Sequence, residues 1–91
     1  MQISKRNGTV EAYEAGKIKR AMGAAFASVG TVLDDEEAER LVARIERAMA
    51  SAEQGEGGSV SVEDVQDLVE RALMEANHYE ELKSYILYRG D

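Results

Sequence analysis

The sequence predicts an α+β domain that is mainly helical, a four-helix bundle capped by a small three-stranded sheet. Three observations support this prediction. Two short strand-forming segments flank a turn dipeptide, four longer segments carry apolar residues at helical spacing, and a brief apolar segment lies between the second and third of these. Three short strands cannot cover four apolar helix faces, so the helices must pack mainly on one another. Ninety-one residues suffice for one domain with a single modest core.

Residues 1–13 are predicted to form a β-hairpin. Ile3 and Val10 favour strands, and the dipeptide Asn7-Gly8 between them is typical of a type I′ turn, in which both central residues have positive φ. An isolated hairpin is only marginally stable in water, so this one must lie against another element.

Helix boundaries follow from capping residues. Gly30 is suited to end the first helix. Asp34 with Glu37, and Ser61 with Asp64, have the spacing of capping boxes that start the second and third helices. The four segments with apolar residues three and four apart predict helices at about residues 17–29, 34–52, 61–76 and 78–88.

The connections complete the predicted order β-β-α-α-β-α-α. Glu53–Gly58 is rich in glycine and is predicted to be a flexible loop. Val60 follows it and can add a third strand to the hairpin. Asn77 is expected to break the chain before the last helix, with His78 beside it as a solvated turn residue.

The composition excludes most catalytic chemistry. Without Cys, and with one His, the chain has no thiolate nucleophile, no catalytic triad and no metal site of several imidazoles. A Walker-type phosphate loop is absent because Gly16-Lys17 is followed by Ile18. Paired acids stand at helix starts, where they favour the helix dipole. We therefore predict no catalytic residue and no metal ligand.

Charge and hydropathy limit the partners. The net charge of −7 argues against a nucleic-acid partner. The N-terminus lacks the apolar region of a signal peptide, and no segment approaches membrane-spanning length. We expect a soluble, cytoplasmic protein without a membrane partner.

The basic residues concentrate at the start of the chain. Residues 1–20 hold five bases and two acids, a net charge of +3, whereas the rest of the chain carries −10. Lys5 and Arg6 end the first strand, and Lys17, Lys19 and Arg20 open the first helix, so the two clusters can converge. Several cations around one cavity suit a triphosphate. Two separate solvated basic patches explain the charges equally well.

Three blocks of the sequence resemble the ATP-cone family. Residues 3–8 (Ile-Ser-Lys-Arg-Asn-Gly), with Lys17-Ile18 after them, are similar to its N-terminal signature. Residues 60–70 resemble its V-x-V-E-x-I-Q-D-x-V-E helix, and residues 83–89 resemble its A-x-x-Y-I-L-Y-R ending. Because the blocks occur in the family's order and cover nearly the whole chain, residues 1–91 are identified by resemblance as one ATP-cone domain.

The resemblance implies a ligand, ATP or dATP with Mg²⁺, held between the sheet and the first helices. Lys5 and Lys17 would contact phosphates, Glu11 would accept a hydrogen bond from adenine, and Gln66 would donate to a phosphate oxygen. Glu14 departs from the family pattern and adds negative charge that could weaken binding. The nucleotide-binding residues implied by the resemblance are Lys5, Arg6, Glu11, Tyr13, Lys17, Ile18, Val62 and Gln66.

The resemblance also implies a function, that of an allosteric domain that controls a ribonucleotide reductase through its oligomeric state, without chemistry of its own. Its partners would be the catalytic domain of the parent enzyme and further copies of the chain. The start at Met1 without a zinc ribbon favours a reductase over a second hypothesis, the sensor domain of a reductase-gene repressor or a free-standing regulator. A third hypothesis is a helical interaction module without a ligand, against which the basic residues argue.

Overall fold

The computed structural model describes residues 2–53 and 60–89, and it confirms the mainly helical α+β class. Apart from Glu53, the predicted loop at Glu53–Gly58 lies outside the described residues. The helices begin and end within two residues of the predicted positions. In chain order the elements are β1 (Gln2–Ser4), β2 (Val10–Ala12), α1 (Ala15–Ser28), α2 (Asp35–Glu53), β3 (Val60–Ser61), α3 (Val62–Glu75) and α4 (Tyr79–Tyr88).

The three strands form a mixed sheet in the order β2-β1-β3. β1 pairs antiparallel with β2, so that Ile3 lies opposite Glu11, and parallel with β3, so that Ile3 also lies opposite Val60. Ile3 and Val60 are both buried in the core. The sheet is therefore fixed to the helices through the inner faces of its central strand and of β3.

The hairpin turn differs from the predicted type I′ turn. Gly8 has a φ of 86°, but Asn7 does not have a positive φ. The Gly8 amide donates to the Lys5 carbonyl at 3.0 Å, and the Lys5 amide donates to the Thr9 carbonyl at 2.8 Å, which is a three-residue loop with a left-handed glycine bulge. The Asn7 side chain accepts from the Thr9 amide at 3.1 Å, a bond that stabilises this alternative. Lys5 therefore lies directly after β1, at the base of the loop, where it pairs with Thr9.

Helix ends are set by local hydrogen bonds. The capping pairs predicted at both N-termini are present: Asp34 accepts from the Glu37 amide at 2.8 Å, and Ser61 and Asp64 form a reciprocal capping box with two bonds of 3.0 Å. α1 begins at Ala15, two residues earlier than predicted, and its N-cap residue makes no side-chain capping bond.

Two left-handed residues end helices by the same arrangement. Gly30, with a φ of 81°, follows α1, and Asn77, with a φ of 65°, follows α3. In each case the next amide reaches back over the last turn: Thr31 donates to the Phe26 carbonyl and His78 donates to the Leu73 carbonyl, both at 2.9 Å. The expected break at Asn77 is therefore present, and α4 starts at a sharp corner.

The helices pack as two pairs, α1 with α4 and α2 with α3, and α4 also lies against α3. Polar contacts cross between α1 and α4: Ser28 pairs with Ser84, and Thr31 donates to the buried Glu81 at 2.8 Å. Among the described residues, the buried core cluster is apolar and contains one aromatic ring, that of Phe26. The core cluster consists of Ile3, Ile18, Met22, Phe26, Leu41, Val42, Ile45, Met49, Val60, Val69, Ala72 and Leu73.

Candidate functional site

The predicted nucleotide-binding residues surround two adjoining cavities. The apolar cavity has a volume of about 130 Å³, and the cationic cavity beside it has a volume of about 330 Å³. Val62 and Gln66 line both cavities, which makes the cavities neighbours. Of the other predicted residues, Lys5 and Arg6 line the cationic cavity, and those that line the apolar cavity are Glu11, Tyr13, Lys17 and Ile18.

Sheet topology explains why residues far apart in sequence meet here. β1 and β3 run parallel and leave the sheet at the same edge, with Ser4 opposite Ser61. β1 continues into the loop that carries Lys5 and Arg6, whereas β3 continues directly into α3. The loop cations therefore lie beside the first turn of α3, and Arg6 forms an ion pair with Glu63.

Two lysines from different elements converge on one carboxylate. The Nζ atoms of Lys5 and Lys17 each lie 3.4 Å from the Oε2 atom of Glu11. Lys17 also lies 3.5 Å from Glu14, which precedes α1. The hydrogen bond from Lys17, helped by the charge of Lys5, lowers the pKa of the Glu11 carboxyl, and Glu11 in turn raises the pKa of Lys17. Half-exposed cations are thus held together at the mouth of the apolar cavity.

The other predicted cations do not all join them. Lys19 pairs with Glu39 of α2, on another side of α1, so the expectation that the whole basic cluster converges is wrong for this residue. Arg6 lines the cationic cavity but is held by Glu63, and this pairing lowers the pKa of the Glu63 carboxyl. The site therefore has Lys5 and Lys17 at one carboxylate, with Arg6 nearby.

The apolar cavity has aliphatic and aromatic walls. Ile18 is buried and belongs to the core, while Val62 and the ring of Tyr13 are half-buried. The Tyr13 hydroxyl is buried and makes no hydrogen bond among the described residues; burial, together with the neighbouring Glu46 carboxylate, raises its pKa. Tyr13 therefore contributes ring surface to the cavity.

Sequence reasoning missed two residues that line the cavities: Tyr85 in α4, and Arg89, the C-terminal cap of α4. Tyr85 lines the apolar cavity, and burial raises its pKa to about 12. Arg89 lines the cationic cavity, and its guanidinium pairs with Asp67 at 3.0 Å and with Glu70. Both lie in the third block of the family resemblance, residues 83–89, which is the signal in the sequence that points to them.

A third cavity, the α1–α4 groove, adjoins the other two and has a volume of about 350 Å³. It lies between small residues of α1, such as Ala21, and the tyrosines of α4. Gln66 lines all three cavities. Its Nε2 atom donates a hydrogen bond to the backbone carbonyl of Arg89 at 3.1 Å. Gln66 is therefore both a cavity residue and a contact to the end of α4.

His78 is not the solvated turn residue that the sequence predicts. Its side chain is about one quarter exposed, its Nε2 atom lies 2.6 Å from a Glu37 carboxylate oxygen, and its ring meets Phe26 edge-on at a centroid distance of 5.0 Å. The imidazole thus joins the corner before α4 to α2 and to the core. Its role is structural, and it lies away from the cavities described above.

The part of the chain that the structure describes offers no group of three or more His, Asp or Glu side chains that could hold a metal ion. Within the same residues, no helix combines the length and the apolar character needed to cross a bilayer.

Comparison with known proteins places this chain in a family. Residues 1–91 match the ATP cone domain model, and the chain therefore belongs to the ATP-cone family. It is 43% identical over 94 residues to the ribonucleoside-diphosphate reductase subunit alpha of Treponema pallidum, covering 100% of this chain and 11% of that protein.

Two further relatives are also ribonucleotide reductases. The chain is 38% identical over 96 residues to the vitamin B12-dependent ribonucleoside-diphosphate reductase of Thermoplasma acidophilum, covering 97% of this chain and 11% of that protein. It is 30% identical over 95 residues to the reductase subunit alpha of Chlamydia muridarum, covering 98% of this chain and 9% of that protein. The chain spans about a tenth of the length of the curated relatives it matches.

Proposed function

We propose that this domain binds an adenine nucleotide, ATP or dATP with Mg²⁺, and regulates a ribonucleotide reductase of which it forms part. The observation that carries the proposal is the convergence of Lys5 and Lys17 on Glu11 beside an apolar cavity. An apolar space next to clustered cations matches the two chemically different ends of a nucleoside triphosphate. Membership of the ATP-cone family supports the same reading.

The arrangement suggests an orientation for the ligand. The base would occupy the apolar cavity against Ile18, Val62 and Tyr85, and the phosphates would extend to Lys5 and Lys17. Both lysines contact the Oε2 atom of Glu11, and no described residue donates to its Oε1 atom. Oε1 can therefore accept a hydrogen bond from the exocyclic amine of adenine, which guanine lacks at that position.

Magnesium would arrive with the nucleotide. Mg²⁺ in nucleotide sites keeps several waters and is held largely by phosphate oxygens, with few protein carboxylates. A site without a cluster of acidic ligands is compatible with that mode. The domain would act without chemistry of its own, by changing the parent enzyme's oligomeric state, in contact with its catalytic domain, in the cytoplasm.

Calorimetric titration with ATP, dATP and GTP in the presence of Mg²⁺ tests nucleotide binding. ATP and dATP are expected to bind and GTP to bind at least about tenfold more weakly, the value of one hydrogen bond to a charged group. Lys5→Ala and Lys17→Ala should each weaken ATP binding about tenfold or more, since each removes one charge-assisted contact.

Lys83→Ala provides the matched control, because Lys83 is an exposed lysine of α4 that lines neither the apolar nor the cationic cavity. It should bind ATP like the unmodified chain. If the folded protein released no heat at millimolar nucleotide, the proposal would be contradicted, and the remaining hypothesis would be a helical interaction module without a ligand.

Sedimentation of the parent enzyme with ATP and with dATP tests the proposed change of oligomeric state. An unchanged sedimentation coefficient would overturn that part of the proposal.

A further inference from the structure

The end of α4 is held by a single turn of α3. The Arg89 carbonyl, which like the other last carbonyls of a helix lacks an intrahelical donor, accepts its hydrogen bond from the Gln66 side chain. The Arg89 guanidinium pairs with Asp67 and Glu70, which like Gln66 belong to α3. We call these three contacts the α4 tether.

The α4 tether shares two of its groups with the cationic cavity. Gln66 and Arg89 both line that cavity, together with Lys5 and Arg6. Asp67 and Glu70 do not line it. A ligand in the cavity can therefore reach the amide of Gln66 and the guanidinium of Arg89, but not the carboxylates that pair with that guanidinium.

Phosphate oxygens compete well for the Gln66 amide. A hydrogen bond to an ionised acceptor is roughly twice as strong as one between neutral groups, and the present acceptor, the Arg89 carbonyl, is neutral. The Gln66 side chain has no other hydrogen-bond partner among the described residues. The amide carries two N–H groups, so turning both toward phosphate oxygens costs one neutral bond and gains two stronger ones.

We infer that Gln66 couples occupancy of the cationic cavity to the end of α4, because an amide that turns both of its N–H groups toward phosphate oxygens gives up its bond to the Arg89 carbonyl. This inference rests on the proposed nucleotide binding and adds its regulatory consequence. The ligand makes different contacts in the tethered and released states, as any shift between two states requires. Ile86, Leu87 and Tyr88, all exposed apolar residues of the same last turn, move with the released end.

Amide hydrogen exchange of residues 85–89, measured by NMR with and without saturating Mg²⁺·ATP, tests the coupling on the 91-residue chain. Bound ATP should accelerate exchange in this turn about two- to tenfold, the free energy of one hydrogen bond expressed as a rate ratio. The side-chain amide resonance of Gln66 should shift at the same time. In Gln66→Met the turn should exchange rapidly whether or not ATP is bound.

Asp67→Asn is the matched control, because it weakens the tether from outside the cavity. Its basal exchange should rise by a factor of about two to five, the value of an exposed ion pair, and ATP should accelerate exchange further. A purely structural Gln66 would make the two variants respond alike. ATP that binds by calorimetry but leaves exchange and the Gln66 resonance unchanged, or slows exchange, overturns the coupling alone. Absence of any binding heat overturns the proposed function and the coupling together.

Discussion

Lys5 and Lys17 contact the same oxygen atom, Oε2 of Glu11, each at 3.4 Å, although one lysine lies at the base of the hairpin loop and the other in the first turn of α1. A carboxylate between two ammonium groups pairs with their charges in the way that a bound anion would. The free domain therefore carries its own counter-charge at the mouth of the apolar cavity, and a phosphate that enters must compete with it.

Removing that counter-charge should favour anions and weaken selectivity for the base. In Glu11→Gln we expect inorganic triphosphate to bind about two- to tenfold more tightly, because two exposed ion pairs no longer compete with it. The preference for ATP over GTP should decrease, because the carboxylate acceptor is lost. Competition calorimetry measures both quantities.

Glu14→Gln serves as the control for net charge, since within residues 2–53 and 60–89 Glu14 pairs with Lys17 alone, and it is more exposed than Glu11. It should improve triphosphate binding less than Glu11→Gln and keep the preference for ATP. Equal behaviour of the two variants would show that only net charge matters at this site.

Tyr85 should contribute to binding of the base and not of the phosphates. Tyr85→Ala is expected to weaken ATP binding about tenfold, since contact of an aromatic ring with a base is worth about 1–3 kcal/mol. Binding of inorganic triphosphate should stay the same, because Tyr85 lines the apolar cavity and not the cationic one. Tyr79→Ala, at an exposed tyrosine of the same helix, is the control. Equal losses for ATP and triphosphate would contradict this division of the site.

The Glu37–His78 contact should make the unfolding free energy depend on pH. The hydrogen bond with His78, followed by that with Arg40, lowers the pKa of the Glu37 carboxyl in the folded state. A lowered folded pKa stabilises the fold above the ordinary glutamate range, and this contribution is lost as the pH falls through the folded value. Glu37→Gln should therefore lose about 1–2 kcal/mol of unfolding free energy at pH 7, and a smaller amount at pH 3.

Urea unfolding at the two pH values measures this difference. Glu36→Gln is the control, because Glu36 is a fully solvated neighbour whose nearest cation is Arg40 at 3.9 Å. It should leave the unfolding free energy nearly unchanged at both values. A loss of the same size in Glu37→Gln at pH 3 as at pH 7 would exclude the ionised contact as its cause.

The corner before α4 should tolerate glycine better than alanine. Asn77 has a φ of 65°, a conformation that costs a residue with a Cβ atom about 1–2 kcal/mol. Asn77→Ala should lower the unfolding free energy by about 1 kcal/mol, whereas Asn77→Gly should change it by less than about 0.5 kcal/mol, because glycine adopts this conformation freely. Thermal unfolding with a denaturant series measures both. A cost for glycine as large as that for alanine would assign the stability to the Asn77 side chain, which accepts from the Tyr79 hydroxyl.

Features that depend on neighbouring residues were predictable from the sequence. The capping pairs of α2 and α3 and the left-handed ends of α1 and α3 each involve residues within one helical turn, so their spacing alone indicated them. The hairpin turn shows the limit of this reasoning. Asn7-Gly8 permits a type I′ turn, but the hydrogen bond from the Thr9 amide to Asn7 stabilises a longer loop, and dipeptide preference does not weigh that bond.

Features that depend on packing were predicted less well. Lys17 and Lys19 belong to one basic cluster in sequence. Residues two positions apart on a helix are rotated by about 200° around its axis, so only one of these lysines can face the cavity. Arg89 reaches the site because α4 folds back at Asn77 and lies against α3. Apolar spacing showed that α4 has a buried face but not which helices cover it.

The parallel pairing of β1 with β3 constrains how the domain is made. Ile3 meets Val60 across most of the length of the chain, and loop closure over such a distance is slow compared with helix formation. Neither half of the polypeptide contains a complete cavity. A chain emerging during synthesis therefore has no ligand-binding site until the residues of α3 have folded against the hairpin. A ligand of this site would then bind only the finished fold, and it would protect the whole domain from unfolding and proteolysis at once.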